Sequence, residues 1–256
     1  MKIATWNVNS IKVRLPQLVD WLNREHPDVV CLQETKVEDA AFPAAELADQ
    51  GYRSVVFGQK AYNGVAILSR DPVSDCQLGM AGFPDEQKRV AIATIRNMRI
   101  VCAYVPNGQS LDSDKYVYKL EWLSAFRDCL RTELESHDRL AVLGDYNIAP
   151  TGHDVHDPVA WEGQVLCSPQ EREAFEALRA LGLHDSFRLF EQPERSFTWW
   201  DYRMNAFRRK MGLRIDHILL SDALARVCTS CRVDTAMRAL ERPSDHAPVI
   251  AEITET

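Results

Sequence analysis

The chain is 256 residues long, 46% hydrophobic and 26% charged, with a formal net charge of −7. This is the balance of an ordinary globular protein with enough chain for a sizeable core, and it excludes one that coats nucleic acid through bulk positive charge. An enzyme with a local basic groove stays open, because acidic residues gathered at a metal site also lower the total.

The N-terminal stretch MKIATWNVNS reads as a strand, not as a charged head with a long apolar stretch, so no signal peptide is expected. No run approaches the roughly 18 apolar residues of a membrane span. The expectation is a reduced, cytoplasmic, soluble protein with no membrane partner. Strand patterns follow at residues 2–8, 28–33, 53–57, 64–69, 89–95, 99–105, 139–143, 213–220, 227–233 and 247–253. Several are continuous runs of Val, Ile, Leu and Ala, as in strands covered on both faces. Helices are predicted between them. One spans 15–24, with Pro16 in its first turn. A second starts at Ser113, with Val117, Leu120, Leu123, Leu130 and Leu134 on one face and His137 near its end. A third spans 169–181, with Phe175, Leu178 and Leu181 on a stripe and Gly182 as its stop. Segments 106–114, 147–168 and 195–212 read as loops. The pattern predicts one domain, residues 1–256, of two sheets packed face to face with helices outside.

Seven cysteines are scattered along the chain, and Cys228 with Cys231 is the only close pair. A zinc ribbon needs a second such pair, so buried free thiols are expected.

The strand ends carry the chemical signal. Asn7 and Asn9 close the first run, Glu34 the second, Asp145 and Asn147 sit in LAVLGDYNI, Asp216 in LRIDHILL, and Asp245 with His246 in SDHAPV. Residues two apart on a strand share a face, so Asn7 with Asn9 and Asp145 with Asn147 form same-face pairs. Any one of these is an ordinary turn former or cap; five strand ends polar in the same way describe an oxygen-lined site. Buried carboxylates need a partner or a cation, and this set suits magnesium rather than zinc. A cation at Glu34 would polarise a phosphoryl oxygen, Asp145 would activate a water, and Asn147 would donate to the phosphate. His246 needs an acceptor for its other ring nitrogen, either Asp216 or Asp245. No G-x-S-x-G elbow or Gly-rich nucleotide loop competes.

The segments WNVNS, LQETK, NGVAILS, LGDYNIAP, FTWWDYR, GLRIDHILLS and SDHAPV resemble, in order, the signatures of the exonuclease III branch of the exonuclease–endonuclease–phosphatase superfamily, which includes the apurinic/apyrimidinic (AP) endonucleases. The resemblance runs from Lys2 to Val249. It implies a four-layer α/β sandwich, DNase I-like, with the site at the top of two mixed sheets. Carried over by motif, Glu34 is the principal Mg²⁺ ligand (Mn²⁺ a substitute), with Asn7, Asp145, Asn147 and Asp245 as further metal positions. Tyr104, Asp145, Asn147, Asp216 and His246 are the catalytic set. Asn9, Asn107, Trp199, Arg203 and Leu213 contact substrate, Trp199 and Leu213 by lining the pocket for a flipped abasic sugar. Without the resemblance, Trp199 and Trp200 would both read as core aromatics; with it, Trp199 is functional and Trp200 structural. Arg203, Arg208, Arg209, Lys210 and Arg214 then read as part of a DNA-binding surface. Tyr146 and His217 occupy positions where relatives vary.

The implied activity is a Mg²⁺-dependent DNA-repair phosphodiesterase. It would cut 5′ to abasic sites and trim 3′ ends (3′–5′ exonuclease, 3′-phosphatase), acting as a monomer on double-stranded DNA. The alternatives are a same-fold phosphodiesterase for non-DNA phosphate esters and a non-catalytic DNA-binding relative.

Overall fold

The computed structural model describes residues 1–254. The chain opens with a βαβ unit, β1 (Lys2–Asn7), α1 (Ile11–Glu25) and β2 (Val29–Gln33), followed by α2 (Ala44–Asp49), β3 (Arg53–Phe57) and β4 (Val65–Ser69). It then builds β5 (Val73–Leu78), β6 (Val90–Ile95), β7 (Met98–Tyr104), α3 (Asp114–Ser136) and β8 (Leu140–Asp145). After the short α4 (Pro158–Trp161) come α5 (Pro169–Arg179), β9 (Leu183–Asp185), β10 (Asp216–Ser221) and α6 (Asp222–Ala225). The last two strands, β11 (Cys228–Val233) and β12 (Val249–Ile253), return to the first sheet.

Two six-stranded sheets result, ordered β11-β12-β1-β2-β4-β3 and β5-β6-β7-β8-β10-β9. Each has one parallel pair, β1/β2 and β7/β8, bridged by a helix, and the other pairings are antiparallel. Alternation explains the continuous apolar runs. Ile3, Val29, Cys31, Ile100, Cys102, Ala141 and Leu143 point into the core between the sheets. Their neighbours Ala4, Trp6, Val30 and Leu32 pack under α1, while Val101, Ala103, Leu140 and Val142 pack under α3 and α5. Every central strand is therefore apolar on both faces, and the stack is helix, sheet, sheet, helix. Gly144 permits one close approach, since a Cβ there would meet the Ala103 carbonyl oxygen at 2.0 Å.

Several elements differ from expectation. Helix α1 starts at Ile11, whose N–H bonds the Thr35 carbonyl at 3.1 Å, so Pro16 lies past the first turn rather than in it. The buried face of α3 is Tyr116, Lys119, Trp122, Leu123, Phe126, Cys129, Leu130 and Glu133, and Val117 faces solvent. Ser113 caps α3 through Lys115 N, and Ser168 with Glu171 forms a reciprocal capping box on α5. Gly182, at φ 89°, follows α5 where a stop was expected. Strands β5 and β9 were not anticipated: the first is mostly exposed and polar, the second three residues long. Leu213 and Arg214 precede β10 instead of opening it. All seven cysteines are free; five are buried, Cys228 is half-buried and Cys76 is exposed. Among the described residues no helix is long and apolar enough to cross a membrane.

Candidate active site

The two parallel pairs end on the same edge of the sandwich, and the polar residues collect there. Asn7 lies opposite Gln33 at the end of β1/β2, and Tyr104, Asp145 and Asp216 lie on one rung across β7, β8 and β10. Glu34 follows β2 directly in the left-handed region, at φ 51°, a conformation a non-glycine residue holds only when its surroundings enforce it. Here they do: Ser10 N and Ile11 N bond the Glu34 and Thr35 carbonyls, and Thr35 N bonds Gly64 O.

Asn7 joins the two sheets, its Nδ2 donating to Glu34 Oε1 at 2.8 Å and to Asp145 Oδ2 at 2.9 Å. Asp145 Oδ1 accepts the Asn147 N–H at 2.9 Å. His246 donates or accepts at Nδ1 with Asp216 Oδ2, 2.9 Å away, and its Nε2 lies 3.7 Å from Asp145 Oδ2. The orienting acid is therefore Asp216, not Asp245. The second Asp216 oxygen, Oδ1, is buried without a protein partner, which leaves an acceptor facing the site.

Charge in this rim is unusual. Burial pushes the Asp145 carboxyl up to about 7, against the opposing pull of His246, with Asp216 and Glu34 adding to the rise. Burial acts to discharge His246, but Asp216 and Asp145 outweigh it and hold the imidazole protonated up to about 10. Burial, then Glu34 and Asp145, keeps the Tyr104 hydroxyl protonated well above its usual range. At neutral pH the rim thus carries an imidazolium donor beside a carboxyl poised to exchange a proton.

Asp245 does a different job. Its Oδ1 accepts from Asn9 Nδ2 at 2.9 Å and its Oδ2 from Trp199 Nε1 at 3.0 Å. Burial opposes its charge, but His246, Asn9 and Trp199 together lower its pKa. Trp199 is half-buried at this edge and bridges His246 through its backbone, whereas Trp200 is buried against Phe197, Ala206 and Ala247. Asn107 reaches the site indirectly, its Nδ2 donating to Asn147 Oδ1 at 3.1 Å.

Leu213 and Arg214 are buried away from any substrate, while Arg203 stays at the surface. Leu213 is fully buried among Ala149, Val155, Leu166 and Ile215 and supports Trp199 from beneath instead of facing a pocket. Arg203 is exposed and forked onto Asp201 at 2.7 Å. Arg214 is no surface cation: it is buried against Asp154 (2.7 Å) and Asp185 (2.8 Å), because burying a guanidinium requires counter-charges. Arg208, Arg209 and Lys210 remain exposed.

The donor set suits a hard divalent cation. Glu34, Asp145 and His246 each bring one ligand atom within 4.8 Å of the others, and Lys36 Nζ already stands 2.8 Å from Glu34 Oε2, where positive charge is favoured. Of the other expected ligands, Asn7 turns its NH2 to the carboxylates while its oxygen takes the Asn9 N–H. Asn147 is engaged at both ends of its amide, by Val105 O and Asn107. Both Asp245 oxygens are likewise taken, so Glu34 and Asp145, which meet His246 within 4.8 Å, are the carboxylates best placed for a cation.

One contributor was not singled out from sequence. Lys119 of α3 is wholly buried, pairs with Glu171, and donates to the Asn147 carbonyl at 2.7 Å and the Asn107 carbonyl at 3.2 Å. It carries the backbones of both Asn107 and Asn147 on one ammonium. The signal was present in the sequence: Lys119 sits three residues from both Tyr116 and Trp122, inside the buried stripe.

The model of the endonuclease/exonuclease/phosphatase family matches residues 4–246, a span that takes in the whole rim from Asn7 to His246. The chain belongs to that family. Exodeoxyribonuclease III of Haemophilus influenzae is 35% identical over 268 residues, covering 98% of this chain and 99% of that protein. Among solved structures, the Neisseria 3′ phosphatase NExo bound to a product DNA hairpin matches at 48% identity and a TM-score of 0.98 over all of both chains. An AP endonuclease from Archaeoglobus fulgidus matches at 38% identity and 0.95, again over all of both chains. The paired mixed sheets are thus the DNase I-like fold of these exonuclease III and AP endonuclease members of the family, whose activity is metal-dependent.

Proposed function

We propose that this nuclease is a Mg²⁺-dependent DNA-repair phosphodiesterase, monomeric and cytoplasmic, that cuts 5′ to abasic sites and removes nucleotides or blocking groups from 3′ ends. One observation carries the reading: Asn7 ties Glu34 of one sheet to Asp145 of the other, next to a His246–Asp216 pair. Since both sheets arm one rim, we take residues 1–256 as one domain.

Bound at Glu34 and Asp145, the cation would neutralise charge developing on the phosphoryl oxygens. The protein's own groups supply the rest. Asp145 takes the proton of the attacking water, for which its raised pKa fits it. The protonated His246, aimed by Asp216, donates to a phosphate oxygen. Asn147, anchored through its carbonyl by Lys119, Asn107 and the Tyr104 hydroxyl donate alongside it. Asn9 and Trp199, both held by Asp245, form the wall that receives the exposed sugar, and extrusion is easiest where the base is already missing.

The decisive experiment is product analysis with Mg²⁺ on a 3′-recessed duplex and an abasic-site duplex side by side. Cleavage of both, abolished by Asp145→Asn, is expected; two intact substrates would sink the proposal. Trp199→Ala should damage abasic cleavage and spare a generic phosphodiester. Equal loss on both would favour the reading in which the substrate is a non-DNA phosphate ester.

A further inference from the structure

Glu34, the carboxylate best placed for a cation, already has three donors on it. Its Oε1 accepts Asn7 Nδ2 at 2.8 Å, its Oε2 stands 2.8 Å from Lys36 Nζ, and the Tyr104 hydroxyl bonds the same carboxylate. An ionised carboxylate offers about four lone-pair sites, so little of it is left bare. Asn7 and Tyr104 are neutral donors, and a cation can sit beside them. Lys36 is different, because its ammonium brings to Glu34 the same sign of charge that a metal would. Among the described residues it is the one ion pair of Glu34.

The backbone builds this placement. Glu34 and Lys36 both lie in the left-handed region, at φ 51° and 57°, as does Asn9 at 43°, and such conformations persist where the surroundings enforce them. Ser10 N bonds Glu34 O at 2.8 Å and Lys36 N bonds Asn63 O at 3.0 Å, so the turn after β2 is laced to the segments after β1 and before β4. Lys36 Nζ also donates to Asn9 Oδ1, and Asn9 belongs to the wall proposed to receive the sugar. One ammonium thus touches both the metal ligand and the substrate wall. Its side chain stays 26% exposed on a four-carbon stem, able to swing.

We propose that Lys36 is a built-in counter-ion of Glu34, which keeps metal binding weak until a substrate phosphate draws the ammonium away. In the free protein the ammonium and an incoming cation repel one another across a single carboxylate. A phosphate at the rim brings negative charge, pairs with the ammonium and releases Glu34 Oε2. Metal and substrate then tighten one another's binding by one common factor, because coupling between two ligands is reciprocal. The inference rests on the proposed Mg²⁺-dependent cleavage of DNA and adds why its metal and its substrate bind together.

The test reads metal binding, so that it stands apart from turnover. Mn²⁺, followed by the electron paramagnetic resonance of the free ion, is titrated into wild type, Lys36→Met, Lys36→Gln and Lys36→Arg. Glu34→Gln, measured alongside, marks the ions held at this site. Each titration is repeated with a duplex whose linkage 5′ to an abasic site cannot be hydrolysed. Without duplex, the Met and Gln variants should bind Mn²⁺ roughly tenfold more tightly than wild type, and Lys36→Arg, which keeps the charge, should not. With duplex, wild type should tighten by roughly tenfold and close that gap, while the two neutral variants gain much less. Lys36→Gln can keep a bond to Asn9, so it carries the test even if Lys36→Met disturbs the turn. Neutral variants that bound Mn²⁺ no more tightly than wild type would reduce Lys36 to a prop that poses Glu34. Equal tightening by duplex in all the Lys36 proteins would assign the coupling to the phosphate alone, and the proposal would fall. Should wild type show both effects yet cut neither test duplex, the proposed function would fail and the role of Lys36 would stand.

Discussion

The orders β11-β12-β1-β2-β4-β3 and β5-β6-β7-β8-β10-β9 repeat one arrangement: an antiparallel pair, a helix-linked parallel pair, then another antiparallel pair. At the matching strand ends the two halves carry different groups. The first half ends β1 on Asn7 and places Glu34 just past β2; the second ends β7 on Tyr104 and β8 on Asp145. Before β12 stand Asp245 and His246, where the segment before β6 has Lys88 and Arg89. The connections differ too. Residues 8–10 suffice between β1 and α1, but 105–113 separate β7 from α3, and 146–182 join β8 to β9. One scaffold thus gives a compact half that presents charge and a long-looped half that presents surface to a substrate, with the loops pinned by the buried Lys119–Glu171 pair.

Breaking each half at its matching strand end should separate the two roles. Asp145→Asn removes the proposed proton acceptor and is expected to lower kcat by about 10³-fold or more at any metal concentration. Glu34→Gln should lower it too, but raising the metal concentration should recover part of that loss, as a steady-state metal titration would read. Next in size is the contrast between two acids that flank one histidine. Asp216→Ala should cost about 10²-fold in kcat and drop the His246 pKa from about 10, followed by NMR of the imidazole. Asp245→Ala, which frees Asn9 and Trp199, should instead act mainly on KM.

A pH measurement sharpens the view of the long-looped half. His217 Nε2 lies 2.9 Å from the Ile148 carbonyl and its Nδ1 lies 3.1 Å from Arg214, so the ring is held neutral; burial, then Arg214, lowers its pKa to about 4. The unfolded chain binds that proton from about pH 6.5 downward and the folded chain does not, so stability is full above 6.5 and declines towards 4. The linkage amounts to about 3 kcal/mol, and His217→Gln should flatten the denaturation profile in that window. The smallest effect belongs to Arg203→Ala. Its guanidinium is already neutralised by Asp201, so the salt slope of DNA binding should fall by less than one.

The strand ends were legible because carboxylates in apolar runs are conspicuous, and same-face spacing paired Asp145 with Asn147. The layers were legible for the same reason, since two-sided burial writes unbroken apolar runs. Buried charge was harder. Arg214 lies in a basic run and reads as surface, and only the fold brings Asp154 and Asp185, 60 and 29 positions away, to its guanidinium. Leu213 matches a motif position, yet its own side chain chose the apolar space beneath Trp199. Edge strands β5 and β9 left no hydrophobic trace because little of them is covered or long enough to show a period.

The placement of β12 has a consequence for how the protein comes into being. It lies between β11 and β1, pairing residues near the two ends of the sequence, with Lys2 opposite Glu252. On the ribosome, β1 is made before β12 and must wait until all the other strands have been made before that neighbour emerges, an open edge in the meantime. His246 comes with that last strand, fixed by its bonds to Asp216 and, through its carbonyl, to Trp6. A nascent chain therefore carries Glu34 and Asp145 before the histidine between the sheets, and the assembled rim, with its capacity to cut nucleic acid, arises only once His246 and β12 have followed them.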